Sequence, residues 1–151
     1  MVDQYSNILA GGSSFDHFIP VRNRKEYLNP NCLLYNSASY NFVAIIGNSI
    51  HLWDATDGSY IRSFAGFTDD EVFAATTDYP RQRRVFVGDD RGQVCLLNYI
   101  TGTSLNQTDV HEGEITSVIF CEETNMVITT GNDKKVCVLH DLDGELPLLR
   151  R

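Results

Sequence analysis

The residues in this sequence that could do chemistry are two adjacent carboxylates, a histidine beside acidic residues, and four cysteines. The carboxylate pair is Gly88-Asp-Asp, which lies between the mainly apolar runs at 84–87 and 94–97. Polymerase palms place paired carboxylates on such a hairpin to hold two metal ions. A palm would also need another metal-binding carboxylate on a neighbouring strand and a basic template channel. We therefore interpret Gly88-Asp-Asp as a hairpin turn.

Two further acidic patterns match metal-binding motifs only in part. His111-Glu-Gly-Glu lacks the second histidine, four residues on, that a helical zinc site requires. Asp54-Ala-Thr-Asp-Gly begins like a calcium loop, but Ala65 stands at the twelfth position, where a bidentate glutamate is expected. No serine lies in a Gly-x-Ser-x-Gly context. The sequence therefore predicts no catalytic residue, no metal site and no cofactor.

The cysteines form no C-x-x-C pair, and each lies among apolar residues: Cys32, Cys95, Cys121 and Cys137. Cys95 and Cys137 occupy equivalent places in two Val-Cys segments, which leaves a metal pair or a disulfide as alternatives. Free cysteine is among the most buried residue types, so packing in the core is the preferred interpretation. This use of cysteine favours a reducing compartment.

The charge balance is acidic, since 12 Lys and Arg stand against 20 Asp and Glu, for a formal net charge of −8. This disfavours nucleic acid and membranes as partners. Two basic clusters, Lys134-Lys135 and Arg81-Gln-Arg-Arg, are interpreted as solvated loops, with contact to phosphate or a tubulin tail as the alternative. The acidic stretches Asp69-Asp-Glu and Glu122-Glu123 are likewise interpreted as solvated loops, with an acidic face for a basic partner as the alternative.

An internal repeat organises these residues, because Gly58, Gly102 and Gly144 fall 44 and 42 residues apart. Each glycine closes a stretch in which an apolar run ends in a polar turn: 50–58, 94–102 and 136–144. A second apolar run ending in glycine precedes each stretch, and the two runs form a hairpin: 42–47, 85–88 and 126–131. A third and a fourth run flank each hairpin. Four short strands in about 42 residues predict an all-β architecture of propeller blades.

The buried positions predicted from this pattern are mostly β-branched or large apolar residues of the strands: Leu33, Val43, Ile45, Leu52, Trp53, Val72, Phe86, Val94, Leu96, Ile115, Val118, Phe120, Val127, Val136 and Val138. A four-stranded blade cannot bury both of its faces alone, so each blade must pack on its neighbours around a central axis. The stability of such a fold is therefore shared among the blades.

At this point the sequence resembles the WD-repeat (WD40) family of β-propellers, whose units end in a Trp-Asp pair. Trp53-Asp54 matches that pair literally. In the second unit Phe67, Arg91 and Leu97 stand at the family's histidine, aspartate and tryptophan positions. The resemblance covers residues 32–151 and implies β-propeller blades that rely on apolar packing more than on polar ties.

The third unit keeps more of the family pattern. His111 stands at the histidine position, Thr129 or Thr130 at the Ser/Thr position, and Asp133 at the aspartate position, while Leu139 replaces the tryptophan. The resemblance implies a hydrogen-bonded set in which the aspartate orients the histidine and the hydroxyl bridges to the indole. Without the tryptophan, the set loses its last donor.

The predicted domains are residues 1–30, an irregular arm or a degenerate partial blade, and residues 31–151, three WD-like blades. Three to three and a half blades are an incomplete propeller, since closure takes at least about four. We therefore expect the chain to be part of a larger propeller or assembly. A chain that is a folded monomer would instead favour a β-sandwich or a small barrel.

The resemblance implies a non-enzymatic protein-protein interaction scaffold that presents variable loops on rigid blades. The blocks 83–92, 98–102 and 111–118 look most like WD-repeat proteins of cilia and flagella. The expected partners are other proteins of a larger assembly, including microtubules or axonemal proteins. The expected location is the cytoplasm, extending to the cytoskeleton and the ciliary axoneme. The alternative is a propeller-based enzyme or the regulatory subunit of an enzyme complex.

Overall fold

The strands of a computed structural model, which describes residues 30–142 and 145–150, follow the predicted repeat closely. They are β1 (Pro30–Asn36), β2 (Asn41–Ile46), β3 (Ser49–Asp54), β4 (Tyr60–Phe64), β5 (Val72–Thr77), β6 (Arg84–Asp89), β7 (Gln93–Asn98), β8 (Ser104–Asp109), β9 (Ile115–Cys121), β10 (Met126–Gly131), β11 (Val136–His140) and β12 (Leu148–Arg150). The predicted arm or partial blade, residues 1–30, lies outside the described residues except for Pro30, which begins β1. The turn glycine Gly144 also lies outside them.

These strands form three four-stranded antiparallel sheets. The first blade is β1-β2-β3-β4, the second is β5-β6-β7-β8, and the third is β9-β10-β11-β12, each in sequence order. A short 3-10 helix at Glu122–Thr124 joins β9 to β10. The prediction of an all-β fold of four-stranded blades is confirmed. No helix in the described ranges has the length and apolar content needed to cross a membrane.

Two apolar clusters fix the blades against each other. The cluster between the first and second blades consists of Val43, Ile45, Ile50, Leu52, Phe67, Val72, Val85, Val87, Cys95, Leu97 and Tyr99. The cluster between the second and third blades consists of Ala74, Phe86, Val94, Leu96, Val110, Ile115, Val118, Val127, Cys137, Leu139 and Leu146. Successive residues of a strand point to opposite faces, so β6 and β7 contribute to both clusters. β5 also contributes to both, whereas the outer strand β8 contributes to neither.

The second blade is therefore buried on both faces, whereas the third is buried on one. Residues 94–97 of β7 are all at most 1% exposed. In the equivalent strand β11, Cys137 and Leu139 face the second blade and are fully buried, but Val136 is 55% exposed. The outward face of the third blade, which we call the open face, also includes Ile119 of β9 and Ile128 of β10, which pair with each other.

Two predicted core residues were wrong, because Leu33 is 42% and Val136 55% exposed. Phe120 and Val138 are only half-buried. Strands that are apolar at consecutive positions do not reveal which alternate set faces an existing neighbour. In β11 the inward set is Cys137 and Leu139, one residue away from the predicted pair.

Close approach between blades depends on a glycine in β6. A Cβ atom on Gly88 would lie 2.5 Å from a side-chain methyl carbon of Ile115 in β9. A second glycine, Gly92, closes the β6–β7 turn with a φ of +90°, and a Cβ atom there would lie 2.2 Å from the carbonyl oxygen of His111. The backbone oxygen of Gly92 in turn accepts hydrogen bonds from the N–H groups of Val110 and His111. These contacts fix His111 at the top of the third blade.

Candidate functional site

The polar residues predicted in the third blade lie together between its strands. His111 Nδ1 lies 2.9 Å from Asp133 Oδ1, and His111 Nε2 lies 2.8 Å from Thr129 Oγ1. Thr130, the other hydroxyl considered, instead contacts Thr116 at 2.9 Å. The structure therefore places His111, Thr129 and Asp133 in one chain of contacts, with Thr129 as the hydroxyl partner.

The proton positions in this chain follow from the chemistry of its ends. An ionised carboxylate can only accept, so His111 donates its Nδ1 proton to Asp133. At Nε2, the ring and the Thr129 hydroxyl share one hydrogen bond whose direction follows the proton on the ring. Thr129 is fully buried, and His111 is 6% exposed. A substrate cannot reach this hydroxyl without displacing the strands. The arrangement ties the β8–β9 connection to β10 and to the β10–β11 turn.

Asp133 also closes the turn in which it lies. Its carboxylate accepts the backbone N–H groups of Lys135 at 3.1 Å and Glu112 at 3.2 Å. Burial acts to raise the pKa of Asp133, but these hydrogen bonds and the contact with His111 outweigh burial and lower the pKa to about 2. The carboxylate is therefore ionised whenever the blade is folded near neutral pH.

The low pKa of Asp133 predicts a specific acid sensitivity. A carboxyl whose pKa is lower in the folded state adds stability above its unfolded pKa, and this is lost as pH falls toward the folded pKa. Asp133→Asn is therefore expected to lower the unfolding midpoint at neutral pH. The difference from the wild type is expected to shrink between about pH 4 and about pH 2. Thermal unfolding followed by circular dichroism measures this, and a constant difference would contradict it.

Gly88 and Asp89 end β6, and Asp90 begins the turn to β7, so the tripeptide leads into the predicted hairpin turn. Asp89 is 1% exposed, and its Oδ1 accepts the backbone N–H groups of Gln93 at 2.8 Å and Arg91 at 3.1 Å. Burial raises the pKa of Asp89, while these hydrogen bonds act in the opposite direction. Arg91, at the family's aspartate position, pairs outward with Asp70 at 2.8 Å.

The remaining acidic motif also closes a turn. Asp54 Oδ1 accepts the backbone N–H of Thr56 at 2.7 Å and contacts the Thr56 hydroxyl, while Asp57 accepts the backbone N–H of Ser59. Within residues 30–142 and 145–150, no three His, Cys, Asp or Glu side chains gather in a way that could hold a metal ion.

The cysteines are free thiols that pack in different places. Cys95 belongs to the cluster between the first and second blades, and Cys137 to the cluster between the second and third. Burial, together with the charges of Asp89 and Asp70, raises the pKa of the Cys95 thiol to about 12. Cys95 therefore lies on the face of the second blade that meets the first blade, whereas Cys137 of the third blade packs against the other face. These positions agree with the interpretation that both cysteines pack in the core.

An ion-pair network that the sequence did not reveal joins the second and third blades. Arg84 donates to Asp141 from both terminal nitrogens, at 2.8 and 2.5 Å, and from Nε to Asp78 at 3.0 Å. The side chains of Asp78 and Asp141 are each 3% exposed. Burial acts to lower the pKa of Arg84, but its bonds to Asp141 and Asp78 outweigh burial and raise it. Arg84 is therefore not part of a solvated basic loop, as its cluster was interpreted.

The two acidic stretches lie at opposite ends of the blades. Asp69 and Asp70 precede β5, whereas Glu122 and Glu123 follow β9. Both strands start beside Gly88, since Ala74 of β5 pairs with it and Ile115 of β9 packs against it. The two acidic stretches therefore cannot form one acidic face, which removes that alternative in its combined form. Lys135 pairs with Glu112 at 2.9 Å, so only Lys134 of its basic cluster is free of an ion pair among the described residues.

Comparison with known proteins bears on the whole arrangement. No protein-family model matches the chain. Cilia- and flagella-associated protein 337 B of Tetrahymena thermophila is 29% identical over 120 residues, which cover 79% of this chain and 10% of that protein. An uncharacterized WD repeat-containing protein of Schizosaccharomyces pombe is 28% identical over 88 residues, which cover 58% of this chain and 30% of that protein.

Solved structures share the fold. The structure of U3-55K aligns with a TM-score of 0.71 at 15% identity, over 85% of this chain and 41% of that one. The crystal structure of RRP9 WD40 repeats aligns with a TM-score of 0.71 at 16% identity, over 85% of this chain and 40% of that one. The chain thus spans well under half the length of each of these proteins. It is built of WD40-type β-propeller blades and resembles the WD-repeat proteins.

Proposed function

We propose that these blades are a segment of a larger propeller that serves as a non-enzymatic scaffold for protein-protein interaction. The open face of the third blade is the observation that carries the proposal. Val136 and Val138 occupy the positions of Val94 and Leu96 in the second blade, which are fully buried by the blade that follows. Val136 and Val138 are thus apolar residues that no described residue covers fully.

A fourth blade is the occupant that fits this face. Each described interface pairs one blade's outward set with the inward set of the next, and the open face presents an outward set of the same kind. An exposed apolar sheet face in an isolated chain would associate with other chains. The greater lengths of the similar proteins and of the aligned structures are consistent with further blades.

A charge on the open face tests this proposal. We expect residues 1–151 to self-associate with rising concentration, and Val136→Glu to reduce that association because it places a charge in the contact. Leu105→Glu is the matched control, since Leu105 is a similarly exposed aliphatic residue on the outer strand β8. Light scattering over a concentration series measures the mass. A wild-type chain that remains monomeric throughout would contradict the proposal.

The non-enzymatic part of this proposal rests on how the candidate chemical groups are bonded. Four of these groups form hydrogen bonds with backbone groups or with neighbouring side chains of the blades: Asp89, Asp133, His111 and Arg84. Such groups fix the strands and leave the loops to contact partners. The loops are held in register by the rigid sheets, which is what a scaffold requires.

The similarity to a cilia- and flagella-associated protein supports a location in the cytoplasm, at the cytoskeleton of the ciliary axoneme, with axonemal proteins or microtubules as partners. The test is fractionation of ciliated cells that express the tagged natural protein. We expect it to remain with axonemes after detergent extraction of isolated cilia. Its complete recovery in the cell body, with none in cilia, would reject this location while leaving the scaffold proposal intact.

A further inference from the structure

The loops at the two ends of the blades differ in their chemistry. Loops that follow the odd-numbered strands form one end, which we call the lower end, and loops that follow the even-numbered strands form the upper end. Large exposed apolar side chains of the described loops all lie at the lower end: Tyr40, Tyr79, Ile100 and Leu142. The upper loops instead present exposed or half-buried charged residues of both signs: Asp69, Asp70, Glu71, Asp90, Arg91, Glu112, Glu114, Asp133, Lys134 and Lys135. Apolar contact is therefore offered at the lower end.

A cleft opens at this lower end between the second and third blades. Tyr79 and Pro80 of the β5–β6 loop form one wall, and Phe120 of β9 lies on the other. Its volume is about 270 Å³, slightly below the range of small-molecule sites, about 300–1,000 Å³. This size suits one large side chain of an extended protein segment better than a cofactor.

The charges around the cleft are not equivalent. Arg84 lies at the cleft, but its guanidinium is already bound by Asp78 and Asp141. Glu122, which follows β9, is an exposed carboxylate in the same lining. Arg81 also lines the cleft and Arg83 lies close to it in the sequence; both are exposed, and neither forms an ion pair within the described part of the chain. The wall formed by Tyr79 and Pro80 therefore carries a free positive charge beside an aromatic ring.

We propose that this cleft docks an extended segment of a partner protein, which inserts a large apolar side chain between Tyr79 and Phe120 and sets a carboxylate against Arg81. Aromatic-lined grooves bind extended segments in this manner, with pockets for side chains giving specificity. Tyr40 and Ile100 are exposed apolar residues of other loops at the same end. The inference deepens the proposed scaffold function and rests on it.

Three labelled peptides of equal length test the site directly. The first carries a tryptophan flanked by glutamates, the second a tryptophan flanked by lysines, and the third an alanine flanked by glutamates. Fluorescence polarisation with residues 1–151 measures their affinities. We expect the first peptide to bind most tightly, and Tyr79→Ser or Arg81→Glu to weaken it by at least about tenfold. Arg81→Glu is also expected to improve binding of the lysine peptide.

Lys134→Glu is the matched control, because it makes the same change of charge on an exposed residue at the upper end. It should change the affinity of the first peptide by less than about twofold. Equal binding of the lysine or alanine peptide, or an unchanged affinity in Arg81→Glu, would overturn the site. If the peptides fail while Val136→Glu still reduces self-association, the cleft is rejected and the larger-propeller proposal stands. If self-association is absent but the peptides bind as expected, the larger-propeller proposal is rejected and the cleft stands as a binding site.

Discussion

Replacing Arg84 by alanine is expected to lower the free energy of unfolding by about 3–5 kcal/mol, because it removes one partner of a buried ion-pair network. The side chains of Asp78 and Asp141 are each 3% exposed and belong to different blades, so the loss acts on the interface between the second and third blades. Urea unfolding followed by circular dichroism measures the effect. The fluorescence of Trp53, the one tryptophan in the sequence, reports separately on the first blade.

The matched control is Arg91→Ala, which removes an ion pair whose arginine side chain is 72% exposed. Such a surface pair contributes at most about 1 kcal/mol, so this variant should unfold close to the wild type. A loss in Arg84→Ala no larger than that in Arg91→Ala would contradict the structural role of the network. If circular dichroism and Trp53 fluorescence separate only in Arg84→Ala, the third blade detaches before the first unfolds.

The blades could be predicted from the sequence because their determinants are local. Each hairpin is marked by a run of apolar residues, a glycine and a polar turn. The same pattern recurs after 44 residues, at Gly58 and Gly102. Turn carboxylates such as Asp54 and Asp89 bond to backbone groups only two to four residues away. Patterns of this length are visible in a single sequence.

The contacts between blades could not be predicted in the same way. Arg84 and Asp141 are 57 residues apart, and their meeting depends on how neighbouring sheets are placed about the axis. The inward set of β11 was missed for a related reason. Val136, Cys137, Val138 and Leu139 are all apolar, so alternation alone does not choose a face. Only the position of the second blade makes Cys137 and Leu139 the buried pair.

The first blade has a separate aromatic group on the face that points away from the second blade. Trp53 is 3% exposed and belongs to a small cluster with Ala44 and Ile46, distinct from the cluster shared with the second blade. Its ring stacks with His51 at 5.8 Å between centroids and meets Tyr60 edge-on at 5.6 Å. Such aromatic contacts add stability beyond the buried area alone.

Trp53→Ala is therefore expected to cost about 3–5 kcal/mol, the usual range for deleting a buried large aromatic side chain. Trp53→Phe, which keeps a ring beside Tyr60, should lose clearly less. Tyr40→Ala is the control, since Tyr40 is an aromatic residue of the same blade that is 62% exposed. Urea unfolding followed by circular dichroism compares the three variants. Trp53 pairs with Phe42 of β2 and with Tyr60 of β4, and the burial of its ring depends on this strand alignment. A loss below about 1 kcal/mol in Trp53→Ala would therefore contradict the register of β3.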